Sequence, residues 1–465
     1  MANLKNNKRA VLTEGPIGKT LFSLTVPMAV GIVGMFAFNL TDTFFVSRLG
    51  IRELAAISFT FPVELVLSRF ALGLSVGAAS VVSRAIGKGD WDEVKRLTTD
   101  GLALSIFFVA IFIVAGLLTM DKVFGMMGAT GETVPLVKQY MRIWYMGLIF
   151  VVFPMVSNNV IRATGDTKTP AMIMLGSVAI NIILDPLLIF GLGPFPRMGL
   201  AGAAIATVFA RMTMFVISFY IVYHRLGMIT FRIPPMPVLI DSWRRVLYIS
   251  VPAAATRMIV PLSQGILTSI VAAFGVKAVA SFGVALKIEM FAFTPVMALS
   301  SVLAAFVGQN WGAGRFDRMR RGMSVGNRFA FASGLVFFAA LILLGRPIAS
   351  IFSRDREVLS GIALYLAIVP ASYFMQGIVF MVIGNLNVMN KPYHAAALGI
   401  GQAFILTVPF AYLGRHLYGL PGVFIGLAVS FLIAGTIAHR FLWRQVDAVE
   451  RETKLVAAQT AVIEE

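Results

Sequence analysis

The sequence predicts an all-α membrane protein with about twelve transmembrane helices in two parallel six-helix lobes. Three observations predict it: an apolar composition, twelve apolar segments of spanning length, and an internal repeat. Of the 465 residues, 58% are hydrophobic and only 13% are charged, whereas soluble proteins average about half apolar and a quarter charged residues. The mean hydropathy is +0.85. A chain with so much apolar surface and so little charge needs lipid as part of its solvent.

The apolar segments are each about 20 residues long, which is the length that crosses a bilayer as a helix. In the first half they are 21–46, 54–82, 100–119, 135–160, 171–192 and 200–223, and in the second half 246–272, 279–307, 327–346, 360–385, 395–413 and 420–442. The predicted domains are a cytoplasmic N-terminus (1–20), an N-lobe (21–223), a cytoplasmic linker (224–245), a C-lobe (246–442) and a cytoplasmic C-terminal tail (443–465).

The formal net charge of +17 could suggest a nucleic-acid partner, but the basic residues lie in short loops between apolar segments. Most of these basic residues lie on the side that holds both chain ends, and an excess of Lys and Arg marks the cytoplasmic side. We therefore expect a multi-pass protein of a bacterial or archaeal inner membrane with both termini in the cytoplasm. We expect the protein to contact the lipid bilayer and not to bind nucleic acid. We also expect it to be a monomer.

The two halves of the sequence repeat each other. At a constant separation of 225 residues, Pro27 matches Pro252 and Glu64 matches Glu289. The same register relates Gly50 to Gly275, Gly87 to Gly312, Asp92 to Asp317 and Arg96 to Arg321. With six spans per half, the halves share one orientation. They should be related by an axis along the membrane normal, with a cavity between them.

Polar residues within the spans indicate a proton or cation site. Asp42 in span 1 follows Asn39 by three residues, and Asn181 precedes Asp185 by four in span 5, so each pair shares a helix face. Pro186 lacks an N–H and frees a backbone carbonyl one turn earlier. Carboxylates, amides and a free carbonyl suit a proton or a hard cation such as Na⁺.

Alternative interpretations stay open for several of these residues. Asp42 could cap its helix or pair with Arg48, and Thr207 in span 6 could be a hydroxyl ligand or pack in an ordinary way. Glu64 and Glu289 recur at equivalent positions, which favours a shared packing or gating role over substrate binding. The bases within spans are Arg69, Arg142, Arg211, Arg257 and Lys287, and some of them could reach the membrane interface.

Signals for enzyme chemistry are missing from the sequence. It has no cysteine and only four scattered histidines, and GPIGKT at 15–20 lacks the first glycine of a phosphate-binding loop. The sequence therefore predicts a secondary transporter rather than an enzyme. We expect no cofactor apart from a coupling ion, H⁺ or Na⁺.

Several strings together resemble the multidrug and toxic compound extrusion transporters, especially their DinF-like prokaryotic branch. They are VP at 26–27, NLTDTFFVSRLG at 39–50, RAIGKGD at 84–90, IRATGDTKTPAM at 161–172, NIILDPLLIFGLG at 181–193 and GLAGAAIAT at 199–207. The resemblance covers essentially the whole chain. It implies a V-shaped pair of lobes that exports cationic or amphiphilic organic compounds in exchange for protons, or for sodium, by alternating access.

The resemblance also implies roles for single residues of the N-lobe. Asp42 is similar to the aspartate that takes the proton and bends the first helix near a proline, here Pro27. The rest of the coupling network, and a possible Na⁺ site together with Asp42, would be Asn181, Asp185 and Thr207. Polar residues lining the same lobe would include Asn39, Tyr140 and Asn158.

A second function remains open from the sequence. A flippase for a lipid-linked substrate belongs to the same broad superfamily, and Arg257 and Lys287 in the C-lobe leave room for phosphate groups. The other branch of the family places acids in spans 7 and 10. Here span 7 has Arg257, and span 10 has Gln376 and Asn385, which favours coupling through the N-lobe.

Overall fold

The regular secondary structure in the described part of the protein is helical, without strands, as the sequence predicts. The computed structural model describes residues 11–129, 131 and 133–464, and for residues 39, 40 and 452–464 it describes the backbone alone. The α-helices in these residues are α1 Ile17–Ser47, α2 Ile51–Lys88, α3 Trp91–Met126, α4 Val134–Met146, α5 Leu148–Ala163, α6 Lys168–Phe190, α7 Gly199–Tyr220, α8 Met236–Ala272, α9 Val276–Ala292, α10 Thr294–Gly312, α11 Phe316–Phe352, α12 Arg356–Ile368, α13 Tyr373–Val388, α14 Pro392–Ile400 and α15 Val408–Glu464. Short 3₁₀ or π-helical turns join α12 to α13 and α14 to α15.

Most predicted spans correspond to one helix each. Nine helices in the described residues are long and apolar enough to cross a membrane, or eleven if two bent pairs each count as one span. The pairs are α4 with α5 and α9 with α10, and each is bent by 45°. In the second pair the bend comes at Phe293, just before Pro295, which has no N–H to continue the hydrogen bonds of the preceding turn.

The last helical stretch holds the two remaining predicted spans. It runs over Pro392–Arg451, which is 60 residues. At 1.5 Å per residue this is about 90 Å, roughly three times the hydrocarbon thickness of a bilayer. The helix is interrupted at Tyr418 and at Gly419, whose φ is 63°. The predicted spans 395–413 and 420–442 lie on either side of this break, so each of the twelve predicted spans is helical.

Several helices extend well beyond the apolar segments that predicted them. Helix α3 begins at Trp91, nine residues before the predicted span, where Asp90 accepts a hydrogen bond from the backbone N–H of Glu93 at 2.9 Å. A hydropathy scan stops at the first charges, but a capped helix continues through them.

The chain divides into two compact units. Unit 1 contains Val26–Ala254, and unit 2 contains Leu12–Thr25 together with Ala255–Glu465. The first helix of each half therefore begins in the other unit: α1 changes unit just before Pro27, and α8 changes unit just after Pro252. These are the prolines that the sequence repeat relates.

Specific hydrogen bonds hold the segment before α1 within unit 2. The backbone N–H of Leu12 donates to Oε1 of Gln309 at 3.0 Å, and Asn310 donates to the carbonyl of Leu12 at 3.1 Å. Arg318 donates to the carbonyls of Glu14 and Gly15 at 2.5 and 2.7 Å.

The start of α8 is held within unit 1 in a comparable way. The indole N–H of Trp243 donates to the carbonyl of Asp100 at 3.0 Å, and Arg245 bonds to Glu93 at 2.7 Å. Gly77 allows a close approach here, because a Cβ at this position would lie 2.0 Å from Oγ of Ser250.

Candidate functional site

Helices α1 and α6 pack closely in unit 1, and small residues make this possible. A Cβ added at Gly31 would lie 3.3 Å from the Cα of Ala171, and one at Gly34 would lie 2.6 Å from Cδ2 of Leu175. Residue numbers rise together along the two helices, so they run in parallel. Extended by about two turns, this register brings the aspartates of the two helices to the same level.

The pair on α6 is fully buried. Asn181 and Asp185 are each 0% exposed, and Nδ2 of Asn181 donates to Oδ1 of Asp185 at 3.0 Å. Oδ1 of Asn181 and Oδ2 of Asp185 have no hydrogen-bond partner. A buried polar atom without a partner costs about 1–3 kcal/mol. Two such oxygens one helical turn apart are therefore suited to receive a proton or a cation.

Helix α7 packs antiparallel to α6. A Cβ at Gly202 would lie 2.4 Å from the carbonyl oxygen of Leu188, and Oγ of Ser177 donates to the carbonyl of Ala210 at 3.1 Å. Interpolated between these two contacts, the register places the buried Thr207 level with the amide of the α6 pair. In the described part of the chain, the structure shows no hydrogen bond between Thr207 and either aspartate.

Arg211 lies one turn after Thr207 on α7, and the sequence alone predicts no role for it. Its guanidinium carbon is 4.8 Å from the ring centre of Phe38 on α1, which is a cation–π distance. It interacts electrostatically with Asp42 and Glu64. The signal in the sequence was a cation inside a span at four residues from a candidate ligand.

Asp42 lies among these charges on α1. It is partly buried, and its electrostatic partners are Arg211 on α7, Glu64 on α2 and Asp185 on α6. The structure thus brings the carboxyl groups of three predicted residues into one charged cluster, which we call the unit 1 acid cluster (Asp42, Glu64 and Asp185). Arg48, proposed as a simple partner for Asp42, instead lies over the ring of Phe44 at 5.0 Å.

Glu64 is bound from two sides within the same cluster. Thr60, one turn earlier on α2, donates to its Oε1 at 3.0 Å, and Tyr140 of α4 forms a hydrogen bond with its carboxyl group. Tyr140 is only 4% exposed. The residue predicted to gate or pack is therefore adjacent to the predicted coupling acids.

Three predicted residues are not seen to join the acid cluster. Asn158 of α5 is buried, and its amide oxygen accepts a hydrogen bond from Ser218 of α7 at 3.2 Å. Pro27 lies inside α1, next to the residue where this helix passes from unit 2 to unit 1. The side chain of Asn39 lies outside the described residues.

Unit 2 has a carboxylate site of its own around Glu289 of α9. The hydroxyl of Tyr365 donates to its Oε2 in a short hydrogen bond. Tyr373 donates to the same oxygen at 3.4 Å, and Gln376 donates to Oε1 at 3.0 Å. Tyr140 and Tyr365 are separated by the same 225 residues as the two glutamates, so the repeat preserves a glutamate–tyrosine pair in both units.

The unit 1 acid cluster can hold protons or a monovalent cation. Carboxylates close together in a low-dielectric interior disfavour simultaneous ionisation, and a proton or a cation relieves this repulsion. Within the described residues no three His, Asp or Glu side chains are grouped like metal ligands. The predicted Na⁺ set adds amide and hydroxyl oxygens to two carboxylates, and it remains a prediction.

Comparison with known proteins places these observations in a family. The sequence model of the family described as MatE matches residues 27–187 and 252–413. The two matches start 225 residues apart, as the internal repeat does. They cover well over half of the chain.

Individual relatives match along almost the entire chain. An FAD transporter of Shewanella oneidensis is 36% identical over 445 residues, covering 95% of this chain and 98% of the relative. The multidrug export protein MepA of Staphylococcus aureus is 25% identical and covers 97% and 99% of the two chains. The crystal structure of the Vibrio cholerae MATE transporter VcmN in the bent form is 28% identical, with a TM-score of 0.88 over 94% of this chain and 98% of that chain. This likeness confirms the predicted fold class.

Proposed function

Since the chain belongs to the MatE family and its members are transporters rather than enzymes, we propose that it is an ion-coupled antiporter. In this proposal a proton, or a sodium ion, enters the cell through the unit 1 acid cluster while an organic compound leaves. The two orphaned oxygens of Asn181 and Asp185 are the single observation on which the proposal depends most. No cofactor is required beyond the coupling ion.

Coupling follows from competition for the same carboxylates. A proton or cation that binds the acid cluster removes its negative charge, and Arg211 then becomes the dominant charge at this level of unit 1. Binding of the ion and binding of a charged substrate therefore change each other's free energy. One charge that crosses 100 mV contributes about 2.3 kcal/mol, which is about 50-fold accumulation.

Two substrate classes have separate support. The sequence resemblance favours cationic or amphiphilic compounds, and a relative named as a multidrug export protein supports drugs as substrates. The FAD transporter is the more similar relative, at 36% identity, which supports flavin adenine dinucleotide as a second candidate. The half-buried Arg211, lying over Phe38, offers a cation and an aromatic ring, and a dinucleotide has pyrophosphate and flat rings to match.

The proposal also gives the protein a place and an orientation. It is a multi-pass protein, proposed to lie in a bacterial or archaeal inner membrane with both termini in the cytoplasm, because most of the basic residues between the spans would then be on that side. The domain boundaries of the sequence analysis, including the lobes 21–223 and 246–442, belong to the same proposal. We propose that it acts as a monomer.

Transport in proteoliposomes tests the function. Wild-type protein is compared with Asp42→Asn, and Asp92→Asn serves as a control because the Asp92 side chain is fully exposed. Movement of ethidium, norfloxacin and FAD is followed under an imposed pH gradient and, separately, a sodium gradient. We expect wild type and the control to move at least one compound with one gradient, and Asp42→Asn to move none. Wild-type protein that moves none of them would contradict the proposal and make lipid flipping the next assay.

A further inference from the structure

A cavity of about 320 Å³ lies within unit 2, between α11, α13 and α15. Its volume is at the lower end of the range typical of small-molecule sites. Two helix faces provide most of its wall. They carry Ser324, Asn327, Arg328 and Phe331 at positions i, i+3, i+4 and i+7 of α11, and His439 and Trp443 at i and i+4 of α15.

The cavity wall contains polar atoms without partners. Asn327 is only 6% exposed, and neither its amide nitrogen nor its amide oxygen has a hydrogen-bond partner. Nδ1 of His439 is also buried without a partner. An unpaired buried polar group is unfavourable, so these atoms indicate a ligand that the protein is built to hold.

The polar groups of the cavity wall are mainly hydrogen-bond donors, which favours an anionic ligand. The indole N–H of Trp443 donates to Nε2 of His439 at 3.3 Å, so the neutral ring carries its proton on Nδ1, which is then a donor. The amide of Asn327, the hydroxyl of Ser324 and the guanidinium of Arg328 add further donors. Among the described residues that line the cavity there is no carboxylate.

The position of the cavity, near the predicted membrane interface, indicates which kind of anion it can bind. It lies where the predicted spans 327–346 and 420–442 meet their basic ends, which carry Arg321, Arg440 and Arg444, whereas Arg320 pairs with Asp447 and Glu450. Trp443 has the position of an interfacial tryptophan. Phe331 is 45% exposed, so an apolar wall leads from the polar groups toward the lipid.

We propose that this cavity binds the phosphate group of an anionic phospholipid from the cytoplasmic leaflet. Arg328, Asn327 and His439 bind the phosphate oxygens, and an acyl chain lies along Phe331. Basic pockets between spans on the cytoplasmic side are suited to anionic headgroups. The choice of leaflet depends on the orientation proposed above, but binding at the cavity does not depend on the transport function.

Lipid retention measured by mass spectrometry of the intact protein in detergent tests the site. Phosphatidylglycerol and phosphatidylethanolamine are added in turn to wild type, Arg328→Gln and Asn327→Leu. Arg440→Gln is the matched control, because it removes an exposed neighbouring arginine that does not line the cavity. We expect wild type and the control to retain phosphatidylglycerol preferentially, and each cavity variant to retain about tenfold less.

A thermal unfolding series separates loss of binding from loss of folding. Asn327→Leu should unfold at a temperature no lower than wild type without lipid, because an unpaired buried amide is removed, and should lose the stabilisation by phosphatidylglycerol. Equal lipid retention and equal stabilisation in all variants would overturn the proposal. Stabilisation by inorganic phosphate alone, together with displacement of the lipid by it, would also overturn it, because the site would then bind a free anion.

Discussion

Glu64 in unit 1 and Glu289 in unit 2 occupy the same position of the repeat but have different surroundings. Each accepts a hydrogen bond from the repeat-related tyrosine, Tyr140 or Tyr365. Around Glu289 the remaining partners are neutral donors, Tyr373 and Gln376. Around Glu64 the electrostatic partners are a further carboxyl group, Asp42, and a cation, Arg211, and Asp42 interacts in turn with Asp185. The architecture is repeated, and the charges are not.

This difference indicates how the same glutamate–tyrosine pair can stabilise one unit and take part in ion binding in the other. A carboxylate surrounded by neutral donors is satisfied by them and stabilises the unit. A carboxylate beside other carboxylates is satisfied only when a proton or a cation joins the group. The residues that differ explain the change: the position related to Asp42 is Leu267, and Gln376 supplies an amide where the first unit has Val151 at the related position.

The largest effect should follow from removing a charge in unit 1. Asp185→Asn keeps the volume but loses the carboxylate, so one coupled charge no longer moves with the gradient. We expect accumulation of the transported compound to fall about 50-fold at 100 mV, measured in proteoliposomes. The surface variant Asp92→Asn should accumulate like wild type, and retention of coupled transport by Asp185→Asn would contradict the role of the α6 pair.

Packing glycines test the part of the architecture that both units share. A Cβ at Gly202 would lie 2.4 Å from the carbonyl oxygen of Leu188, and one at Gly422 would lie 2.0 Å from that of Gly414. Overpacking of this kind costs about 1–3 kcal/mol, so Gly202→Ala and Gly422→Ala should lower the unfolding temperature to a similar extent. Gly176→Ala is the control, since nothing lies within 4 Å of the added atom. Sensitivity in one unit alone would show that the packing is not repeated.

Removing the unit 2 carboxylate should affect stability and spare transport. In Glu289→Gln the amide N–H₂ faces that of Gln376, and the hydrogen bonds from Tyr365 and Tyr373 lose their charged acceptor. The expected destabilisation is about 1–3 kcal/mol, measured by thermal unfolding in detergent. Ion-coupled transport per folded molecule should match wild type. Loss of coupling with unchanged stability would contradict the comparison, because Glu289 would then take part in coupling rather than in stability.

The smallest expected effect is a difference between the two repeat-related tyrosines, Tyr140 and Tyr365. Tyr140→Phe and Tyr365→Phe each remove one hydroxyl from a glutamate, and each should cost about 1 kcal/mol of stability. We expect only Tyr140→Phe to change the pH dependence of transport, because only its glutamate neighbours the coupling acids. If the two variants had the same pH profile, Tyr140 would have no more influence on ion coupling than Tyr365, and this part of the comparison would be wrong.

The sequence was sufficient to predict the fold because a bilayer leaves few choices. Spans must be helical and about 20 residues long, and a repeat at 225 residues fixes six spans per half. It could not predict that α1 and α8 begin in the opposite units, because hydropathy reports the length of a helix and says nothing about its partners. It also could not predict the helix ends beyond the membrane, because a hydropathy scan stops at the first charges and a capped helix continues through them.

The candidate site was partly visible in the sequence. Charged residues inside spans pointed to Asp42 and Asp185, and spacing paired Asp185 with Asn181. Arg211 is one of five bases within spans, and its spacing of four residues from Thr207 places it on the same helix face but does not show that α7 brings it to Phe38. The cavity donors Asn327 and His439 lie on helices more than a hundred residues apart in sequence, so only the packing of α11 against α15 brings them together.

Counting protons released when substrate binds tests most directly the claim that coupling lies in unit 1. Purified protein in weakly buffered detergent solution is mixed with a transported compound, and the release is followed with a pH-sensitive dye. If protons are the coupling ions, wild type and Glu289→Gln should release the same number, and Asp42→Asn should release fewer. Unchanged release from Asp42→Asn together with loss of release from Glu289→Gln would contradict the account and place coupling in unit 2.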